Sequence, residues 1–146
     1  MISIALATYN GFKFLREQLD SILAQSMENF EVVACDDCST DETRQILEEY
    51  ASKDSRFKVF LNKNNLGFKK NFEHILSLCK GDFIAFCDQD DIWESNHLEI
   101  LYKNIGNNDC IGANSLIIDE NGIPQNKTLL EYWPIHVMPK NEKELF

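Results

Sequence analysis

Two stretches of sequence decide the fold: FEVVACDD at residues 30–37 and FIAFCDQDD at residues 83–91. In each, an apolar run suited to a buried strand ends in a cluster of aspartates. Like charges repel, so a folded chain keeps such a cluster for a cation or for a hydrogen-bonded ligand. In open α/β sheets the ligand crevice lies outside the carboxyl ends of the strands. The two clusters therefore predict a single site at one edge of a sheet.

Strand-like and helix-like segments alternate outward from these stretches. Short apolar runs predict five strands, which are Ile2–Ala7, Phe30–Cys35, Phe57–Leu61, Phe83–Cys87 and Cys110–Ile118. Between them, apolar residues three and four apart predict amphipathic helices. Ser39 followed by Glu42 fits a capping box for the second helix, and Gly81 fits the end of the third. This alternation predicts right-handed βαβ units, and hence an α/β fold with a mostly parallel central sheet flanked by helices.

Composition narrows the classes of function. The 146 residues suffice for one domain with a packed core, and the formal charge of −10 argues against a nucleic-acid-binding surface. An anionic substrate stays compatible with that charge, because a bound divalent cation can invert the local field. The lack of a basic leader and of an apolar stretch of about 20 residues predicts a soluble, cytoplasmic protein. The odd set of five cysteines, mostly in apolar settings, predicts reduced and buried thiols rather than disulfides, and the Cys35–Cys38 spacing is not interpreted as a redox or zinc motif.

The segment Asp88-Gln89-Asp90-Asp91 carries the strongest chemical signal. Carboxylates two residues apart just past a strand can face the same way and share a hard cation such as Mg²⁺ or Mn²⁺. A cation held by one or two carboxylates usually completes its shell with substrate phosphates and water. The alternative is a helix cap, with Asp90 or Asp91 preceding the helix that contains Leu98. Three acids in four residues exceed what capping requires, so we predict a site for a metal and a diphosphate.

The pair Asp36-Asp37 is more ambiguous. It can cap the helix that follows, or one carboxylate can face the cleft and accept a hydrogen bond from a nucleotide base. Tyr9 and Asn10, which follow the first strand, would add a ring face and an amide to the same crevice. Trp93 fits packing better than chemistry. The phosphate-binding patterns GxxxxGK[ST] and GxGxxG are both absent.

In order and spacing, four blocks of sequence resemble the family 2 glycosyltransferases of the Rossmann-like GT-A fold. The blocks are ATYNG at 7–11, DDCSTD at 36–41, NLG at 65–67 and DQDDIW at 88–93, and the resemblance covers about residues 1–118. It implies a site for a nucleotide-diphospho-sugar donor and an inverting transfer. Asp37 would bond the base, and Asp88 and Asp90 would bind Mn²⁺ or Mg²⁺, with Asp90 as the direct ligand. The implied donor-binding residues are Ala7, Thr8, Tyr9, Asn10, Asp37, Asp88, Gln89 and Asp90.

The acid block carries a further resemblance. DQDDIW is similar to the motif of many bacterial transferases that build cell-surface polysaccharide, rhamnosyltransferases among them. That likeness implies a UDP- or dTDP-sugar donor and a saccharide or lipid-linked saccharide acceptor. A lipid-linked acceptor implies peripheral association with the inner face of the membrane.

The departure from the family lies in the last part of the chain. The family's general base belongs to its acceptor-binding half, which nothing after Ile118 matches well, and Asp119, Glu120 and Glu131 are weak candidates. We therefore expect the base beyond Phe146. Residues 1–118 are assigned to the donor-binding domain. Residues 119–146 are assigned to the start of an incomplete acceptor-side region, in which residues 141–146 resemble the first turn of a helix. The chain is then the donor-binding half of a transferase, or a non-catalytic module that binds a sugar nucleotide.

Three other classes of protein fit the sequence less well. A signalling receiver domain needs acids after its first strand and a lysine after its fifth, where this chain has Thr8-Tyr9-Asn10 and Asp119. A phosphotransfer hydrolase needs its paired aspartates after the first strand. A nucleotidyltransferase needs a basic glycine-rich loop there, which Asn10-Gly11-Phe12-Lys13 approximates poorly. The donor sugar, the acceptor, the linkage and the oligomeric state stay open.

Overall fold

The computed structural model of the protein describes residues 1–132, and residues 133–146 lie outside that description. The chain forms two compact units, of which the second begins at Ile105. The elements of the first unit are β1 (Ile2–Thr8), α1 (Phe12–Leu23), β2 (Phe30–Asp36), α2 (Thr43–Lys53), β3 (Phe57–Leu61), α3 (Phe68–Leu78), β4 (Phe83–Cys87) and α4 (His97–Asn104). Those of the second are β5 (Leu116–Ile118), β6 (Pro124–Thr128) and α5 (Leu129–Tyr132).

The strands of the first unit form a parallel sheet in the order β3-β2-β1-β4. β1 pairs with β2 as far as Thr8 opposite Asp36, and with β4 as far as Leu6 opposite Cys87. The chain moves outward through β2 and β3 and then returns, so that β4 lies on the other side of β1. The carboxyl ends of β1 and β4 therefore flank the point where the strand order reverses, which is where open α/β sheets bind ligands. The predicted α/β fold with a parallel central sheet is confirmed.

Helices cover both faces of this sheet. On one face, α1, α2 and the segment around Trp93 pack on alternate strand residues such as Ile4 and Val32, which are fully buried. On the other face, Ala5 and Val33 form a second buried cluster with Ile75 of α3. Each fully buried valine or isoleucine contributes about 1.5–3 kcal/mol relative to its exposed state. This burial fixes the strands, and with them the loops at their carboxyl ends.

A buried polar network lies at the amino ends of the strands, on the α3 face. Glu31 of β2 accepts a hydrogen bond from Ser3 Oγ at 2.7 Å and from the Lys80 amide at 2.8 Å, and it forms an ion pair with Lys58. Ser3 Oγ in turn accepts from the amides of Lys80 and Gly81, at 3.1 and 2.7 Å. The network therefore joins β1, β2, β3 and the α3–β4 connection at the edge opposite the aspartate clusters.

Gly81 serves the sheet rather than the preceding helix, so its predicted role as a helix stop is wrong. α3 ends at Leu78, and Cys79 at its carboxyl end is already extended. A Cβ atom at position 81 would lie 2.5 Å from the Ser3 amide nitrogen and 2.9 Å from the Met1 carbonyl oxygen. The missing side chain is what lets the α3–β4 connection pack directly against β1.

The predicted capping box of the second helix is also wrong. α2 begins at Thr43, and the preceding Glu42 forms no capping bond with its side chain. Asp41 takes that role instead, because its Oδ1 accepts from the Thr43 amide at 3.0 Å. Ser39 is turned toward Asp36, whose Oδ2 accepts from the Ser39 amide at 3.0 Å.

The second unit differs most from the prediction. β5 is three residues long and pairs antiparallel with β6, so the predicted fifth parallel strand at 110–118 is wrong in both extent and partner. Gly112 and Asn114 interrupt that apolar run, and both residue types are poor strand formers. The predicted turn at Glu120-Asn121-Gly122 is confirmed, because the Asp119 amide bonds the Ile123 carbonyl across it. The predicted helix at 141–146 lies outside the described residues.

All five cysteines are free thiols; Cys35 and Cys87 are buried as predicted, whereas Cys38 and Cys110 are exposed, so the predicted burial is wrong for these two. Burial, followed by the charges of Cys79 and Asp37, raises the pKa of Cys35 to about 12. Among residues 1–132, no helix combines the length and apolar character needed to cross a membrane.

Candidate functional site

The loops that carry the predicted site residues meet at the carboxyl edge of the sheet. The Asp37 amide, just after β2, donates to the Thr8 carbonyl of β1 at 2.8 Å. The Tyr9 amide, just after β1, donates to Gln89 Oε1 of the acid segment at 2.8 Å. β1 thus links the two aspartate clusters, and the convergence expected from strand order is present in the structure.

The β1–α1 loop is held in place by the loop after β2. Asn10 adopts a left-handed backbone, with φ of 48°, which asparagine tolerates better than most residues. Its amide donates to Ser39 Oγ at 2.9 Å, and its Oδ1 accepts from the Thr40 amide at 2.9 Å. The preceding residue, Tyr9, is 48% exposed, so its ring is available to a ligand. Asn10 itself is committed to the loop.

Asp36 and Asp37 are both buried, and each has protein partners. Asp36 accepts from Thr8 Oγ1 at 3.1 Å and from Ser39, which fixes the end of β1 against the end of β2. Asp37 Oδ1 accepts from Asn62 Nδ2 at 2.9 Å and from the Leu66 amide at 2.8 Å. Its Oδ2 accepts from the Gly67 amide at 2.8 Å. The pair therefore organises the loops around the site, and the role of Asp37 toward a base stays a prediction.

Asn62 organises the site, although no motif in the sequence indicates this role. Its Nδ2 donates to Asp37 and to Asn71 Oδ1, both at 2.9 Å, and its Oδ1 lies 3.0 Å from His74 Nδ1. Asn71 also donates to the Cys35 carbonyl of β2 at 3.0 Å. This chain of contacts joins the end of β2 to α3. In the sequence, only the neighbouring NLG block at 65–67 marks this region, because the partners of Asn62 lie 9 to 25 residues away.

Replacing Asp37 with asparagine is expected to loosen the 62–67 loop. An amide offers one acceptor oxygen instead of two, so at least one of the three donors loses its bond to residue 37, although the Gly67 amide keeps Asn65 Oδ1 at 3.1 Å; the expected cost is about 0.5–1.5 kcal/mol. Hydrogen exchange of the Leu66 and Gly67 amides should accelerate more than exchange in β1. The exposed Asp109→Asn change is the matched control. Equal protection of both amides in the two variants would contradict the anchoring role.

The acid segment after β4 presents its carboxylates to solvent. Asp88, Asp90 and Asp91 are all exposed, whereas Gln89 is half-buried. Partial burial of the carboxyl group, followed by the charge of Asp90, raises the pKa of Asp88 above its usual value. Partial burial and the charges of Asp88 and Asp90 raise the pKa of Asp91 in the same direction. The carboxylates therefore lie close enough to repel one another.

The alternative interpretation of this segment as a helix cap is wrong. α4 begins at His97, six positions beyond Asp91, and the His97 amide bonds the Glu94 carbonyl. Trp93 between them is 9% exposed and belongs to the core, which confirms its packing role. Its ring lies 4.7 Å from the ring of His97, and burial lowers the pKa of that histidine. The aspartates precede this packed anchor without capping a helix.

The donor set of the acid segment fits a hard divalent cation. Exposed carboxylate oxygens are the ligands that Mg²⁺ and Mn²⁺ prefer, and a nearby cation would offset both the partial burial and the charge of Asp90 that raise the pKa of Asp88. Within residues 1–132 no group of three or more His, Cys, Asp or Glu side chains converges into a metal cage. Asp88 and Asp90 would accordingly hold a cation whose remaining ligands come from phosphate oxygens and water.

The remaining predicted site residues have the following surroundings. Ala7 is half-buried and packs against the cluster on the α3 face. Thr8 is buried, with its hydroxyl on Asp36. Both atoms of the Gln89 amide bond the backbone of Tyr9. Direct contact of these three residues with a donor stays a prediction.

The fold defines an α/β protein whose predicted site residues lie at a reversal of strand order. The chain belongs to glycosyl transferase family 2, whose family model matches residues 3–145. Among similar proteins, the UDP-Glc:alpha-D-GlcNAc-diphosphoundecaprenol beta-1,3-glucosyltransferase WfgD of Escherichia coli is 36% identical over 126 residues, covering 80% of this chain and 49% of that protein. The glycosyltransferase GlyG of Streptococcus pneumoniae serotype 4 is 33% identical over 110 residues, covering 75% and 36%.

Solved structures agree with the family assignment. Staphylococcus aureus TarS 1-349, crystallised with UDP, is 36% identical and has a TM-score of 0.66, covering 71% of this chain and 31% of that one. The mannosyltransferase PcManGT from Pyrobaculum calidifontis, at 22% identity and a TM-score of 0.67, shares the fold over 81% of this chain and 35% of that one. These neighbours confirm the predicted GT-A fold. The chain spans about half or less of the length of the curated relatives that it matches.

Proposed function

We propose that this chain is the donor-binding half of an inverting glycosyltransferase that acts in the synthesis of bacterial cell-surface polysaccharide. The observation that carries the proposal is that exposed Asp88 and Asp90 flank Gln89, whose side chain bonds the backbone of exposed Tyr9 where the strand order reverses. A carboxylate pair next to an aromatic face suits a ligand with a diphosphate at one end and a base at the other. Membership of glycosyl transferase family 2 supports the same reading.

The donor is proposed to be a UDP- or dTDP-sugar, with its base on the β1 side of the site. The ring of Tyr9 offers a stacking surface, and Ala7, Thr8 and Asn10 shape the loop beneath it. Asp37 Oδ2 accepts one bond, from the Gly67 amide, so it retains a lone pair for the N–H of a base. TarS has been crystallised with UDP and with UDP-GlcNAc, which supports a uridine nucleotide first.

The diphosphate is proposed to lie over the acid segment. Asp88 and Asp90 would hold Mn²⁺ or Mg²⁺, which supplies a Lewis acid that neutralises the leaving diphosphate. In an inverting transfer a general base deprotonates the acceptor hydroxyl as it attacks from the face opposite the nucleotide. We place that base beyond Phe146. The name of WfgD, which includes a diphosphoundecaprenol acceptor, supports a lipid-linked saccharide acceptor and peripheral membrane association for this protein.

A second candidate is a module that binds sugar nucleotides without transferring the sugar. The positions of Tyr9, Asp88 and Asp90 support donor binding, which both candidates share. The two candidates predict the same donor binding and differ in turnover. Release of free sugar from UDP-sugars at a rate above the protein-free control would support the transferase, and donor binding without any release would support the module.

UDP or dTDP with Mn²⁺ is expected to raise the melting temperature of the chain. A ligand at 100 times its Kd stabilises by about 2.7 kcal/mol, which corresponds to roughly 10 °C or more for a domain of this size. The Asp90→Asn variant should lose the part of the shift that depends on metal, because the amide gives up the negative charge that attracts the cation. Thermal denaturation with each nucleotide, in Mn²⁺, in Mg²⁺ and in chelator, measures both effects.

The exposed Asp109→Asn variant provides the matched control, since it removes the same charge in the second unit. It should keep the full metal-dependent shift. No shift with any nucleoside diphosphate in either metal would overturn the donor-site proposal. A shift that Asp90→Asn leaves intact would retain the nucleotide but remove this aspartate from the metal site.

A further inference from the structure

We infer that Gln89 is a positioning residue that couples the base side of the site to the diphosphate side. The inference rests on the proposed function for the identity of the ligand, but its geometry is independent of it. Gln89 Oε1 accepts from the Tyr9 amide at 2.8 Å, and Gln89 Nε2 donates to the Tyr9 carbonyl at 3.1 Å. One side chain thus satisfies both backbone groups of a residue 80 positions away. Its amide faces the protein rather than the crevice.

The Gln89 side chain extends the sheet beyond the point where backbone pairing stops. The β1–β4 ladder ends with Leu6 opposite Cys87, although β1 continues to Thr8 beside β2. Past Cys87 the backbone leaves the sheet to form the acid segment. The paired amide bonds to Tyr9 mimic one more rung of the ladder, so the segment is bound to β1 through a side chain instead of a strand. A shift of either loop is therefore transmitted to the other.

Gly11 supplies a second, separate sign of this arrangement. Its backbone has φ of −104°, a conformation that any residue adopts, so the glycine is not required by local geometry. A Cβ atom at position 11 would lie 2.2 Å from Gln89 Oε1 and 2.4 Å from Gln89 Cδ. The empty space at Gly11 is filled by the Gln89 amide. The β1–α1 loop is thus built around this one side chain.

The consequence is a coupling between two parts of the donor. Tyr9 carries the exposed ring on the base side, and Asp88 and Asp90 flank Gln89 in sequence on the diphosphate side. Metal and diphosphate bound to the acid segment would fix Gln89, and Gln89 would in turn fix Tyr9. By thermodynamic linkage, a base bound at Tyr9 would raise the affinity of the acid segment for metal and diphosphate by the same factor. Gln89 therefore contributes to donor affinity through its two bonds to Tyr9. Its loss should separate the two binding events.

Calorimetric titrations of UMP and of UDP, each with and without Mn²⁺, test the coupling in wild type and in Gln89→Ala. We expect the enhancement of UDP affinity by Mn²⁺ to fall about tenfold in Gln89→Ala. UMP affinity in chelator should change by less than about threefold, because the ring of Tyr9 remains. A purely structural role would lower the melting temperature but leave the enhancement by Mn²⁺ unchanged, and that result would overturn the inference. Gln45→Ala, exposed on α2, is the matched control.

A double-mutant cycle without ligand tests the geometry directly. Gly11→Ala should lower the melting temperature in the wild-type background, because the new methyl group displaces the Gln89 amide. In the Gln89→Ala background the same change should have almost no effect, since the space is then open. Additive effects would contradict the inference. If the wild-type chain bound no UDP with either metal, the proposed function would be contradicted. The double-mutant cycle would still show whether Gln89 holds the β1–α1 loop.

Discussion

Replacing Gly81 with alanine is expected to destabilise the first unit by about 3 kcal/mol, at the upper end of what overpacking usually costs. The new Cβ would lie 2.5 Å from the Ser3 nitrogen, 2.9 Å from the Ile2 carbonyl carbon and 2.9 Å from the Met1 carbonyl oxygen. All three are backbone atoms at the start of β1, so no side-chain rotation relieves the clash. The α3–β4 connection must move away, and the Gly81 amide then loses its bond to Ser3 Oγ. Urea unfolding of wild type and variant measures the loss.

Gly112→Ala is the matched control for this prediction. No heavy atom lies within 4 Å of a Cβ built at Gly112, and its φ is not in the left-handed region. The control should be neutral or slightly stabilising, because alanine narrows the unfolded ensemble by about 0.4–1 kcal/mol. If Gly81→Ala unfolded at the same urea concentration as Gly112→Ala, the close packing of the connection on β1 would be refuted.

The four parallel strands were predictable from the sequence to within one residue at each end. β3 and β4 match the predicted bounds, and β1 and β2 each extend one residue further, to Thr8 and Asp36. Parallel strands buried on both faces appear in sequence as short, nearly continuous apolar runs, so their ends are well marked. The placement of the aspartate clusters at one edge followed from strand order alone.

Features that depend on contacts between distant residues could not be read from the sequence. The hydrogen-bond partners of Asp37 and Gln89 lie 25 to 80 residues away, and no local sequence pattern indicates them. β4 illustrates the same limit, because its apolar run resembles a buried strand although Phe86 is 62% exposed at the edge of the sheet. The second helix shows a local failure, in which Ser39 bonds Asp36 rather than the helix that follows. Serine can cap a helix or bond a neighbouring acid, so its presence alone does not indicate which bond forms.

Replacing Glu31 with alanine is expected to destabilise the first unit by about 1–3 kcal/mol, since the buried Ser3 hydroxyl loses its acceptor and the Lys80 amide keeps only its longer bond to Ser3 Oγ. The donors are Ser3 Oγ and the Lys80 amide, and both lie at the amino ends of the strands. Lys58, which pairs with Glu31, is 42% exposed, so its charge can return to water and adds little to the loss. Glu31→Gln should cost less, because it keeps an acceptor for both donors and removes only the charge. Urea unfolding at neutral pH ranks the two variants.

The pH dependence of the stability difference between wild type and Glu31→Gln tests whether the Glu31 side chain is charged in the folded state. Burial alone raises the pKa of Glu31, but hydrogen bonds from Lys58, Ser3 and the Lys80 amide outweigh it and leave the pKa below the usual 4.5. An acid whose pKa is lowered by folding stabilises the native state above its unfolded pKa and loses that contribution as the pH falls through the folded value. The stability gap between wild type and Glu31→Gln should therefore be constant near neutral pH and close below about pH 4.5.

A stability gap that stayed constant through acid pH would show that the Glu31 carboxylate is not held in its charged form, and the network would then be an ordinary set of neutral hydrogen bonds.

Gly81→Ala offers a second check on the same edge of the sheet. Both changes act through Ser3, which bonds Glu31 and the Gly81 amide, so their combined cost should fall short of the sum. The metal-dependent shift with UDP should persist in Glu31→Gln, because the network lies at the amino ends of the strands and the aspartates lie at the carboxyl ends. Stability and donor binding would then be separable in this fold by the edge of the sheet that each one uses.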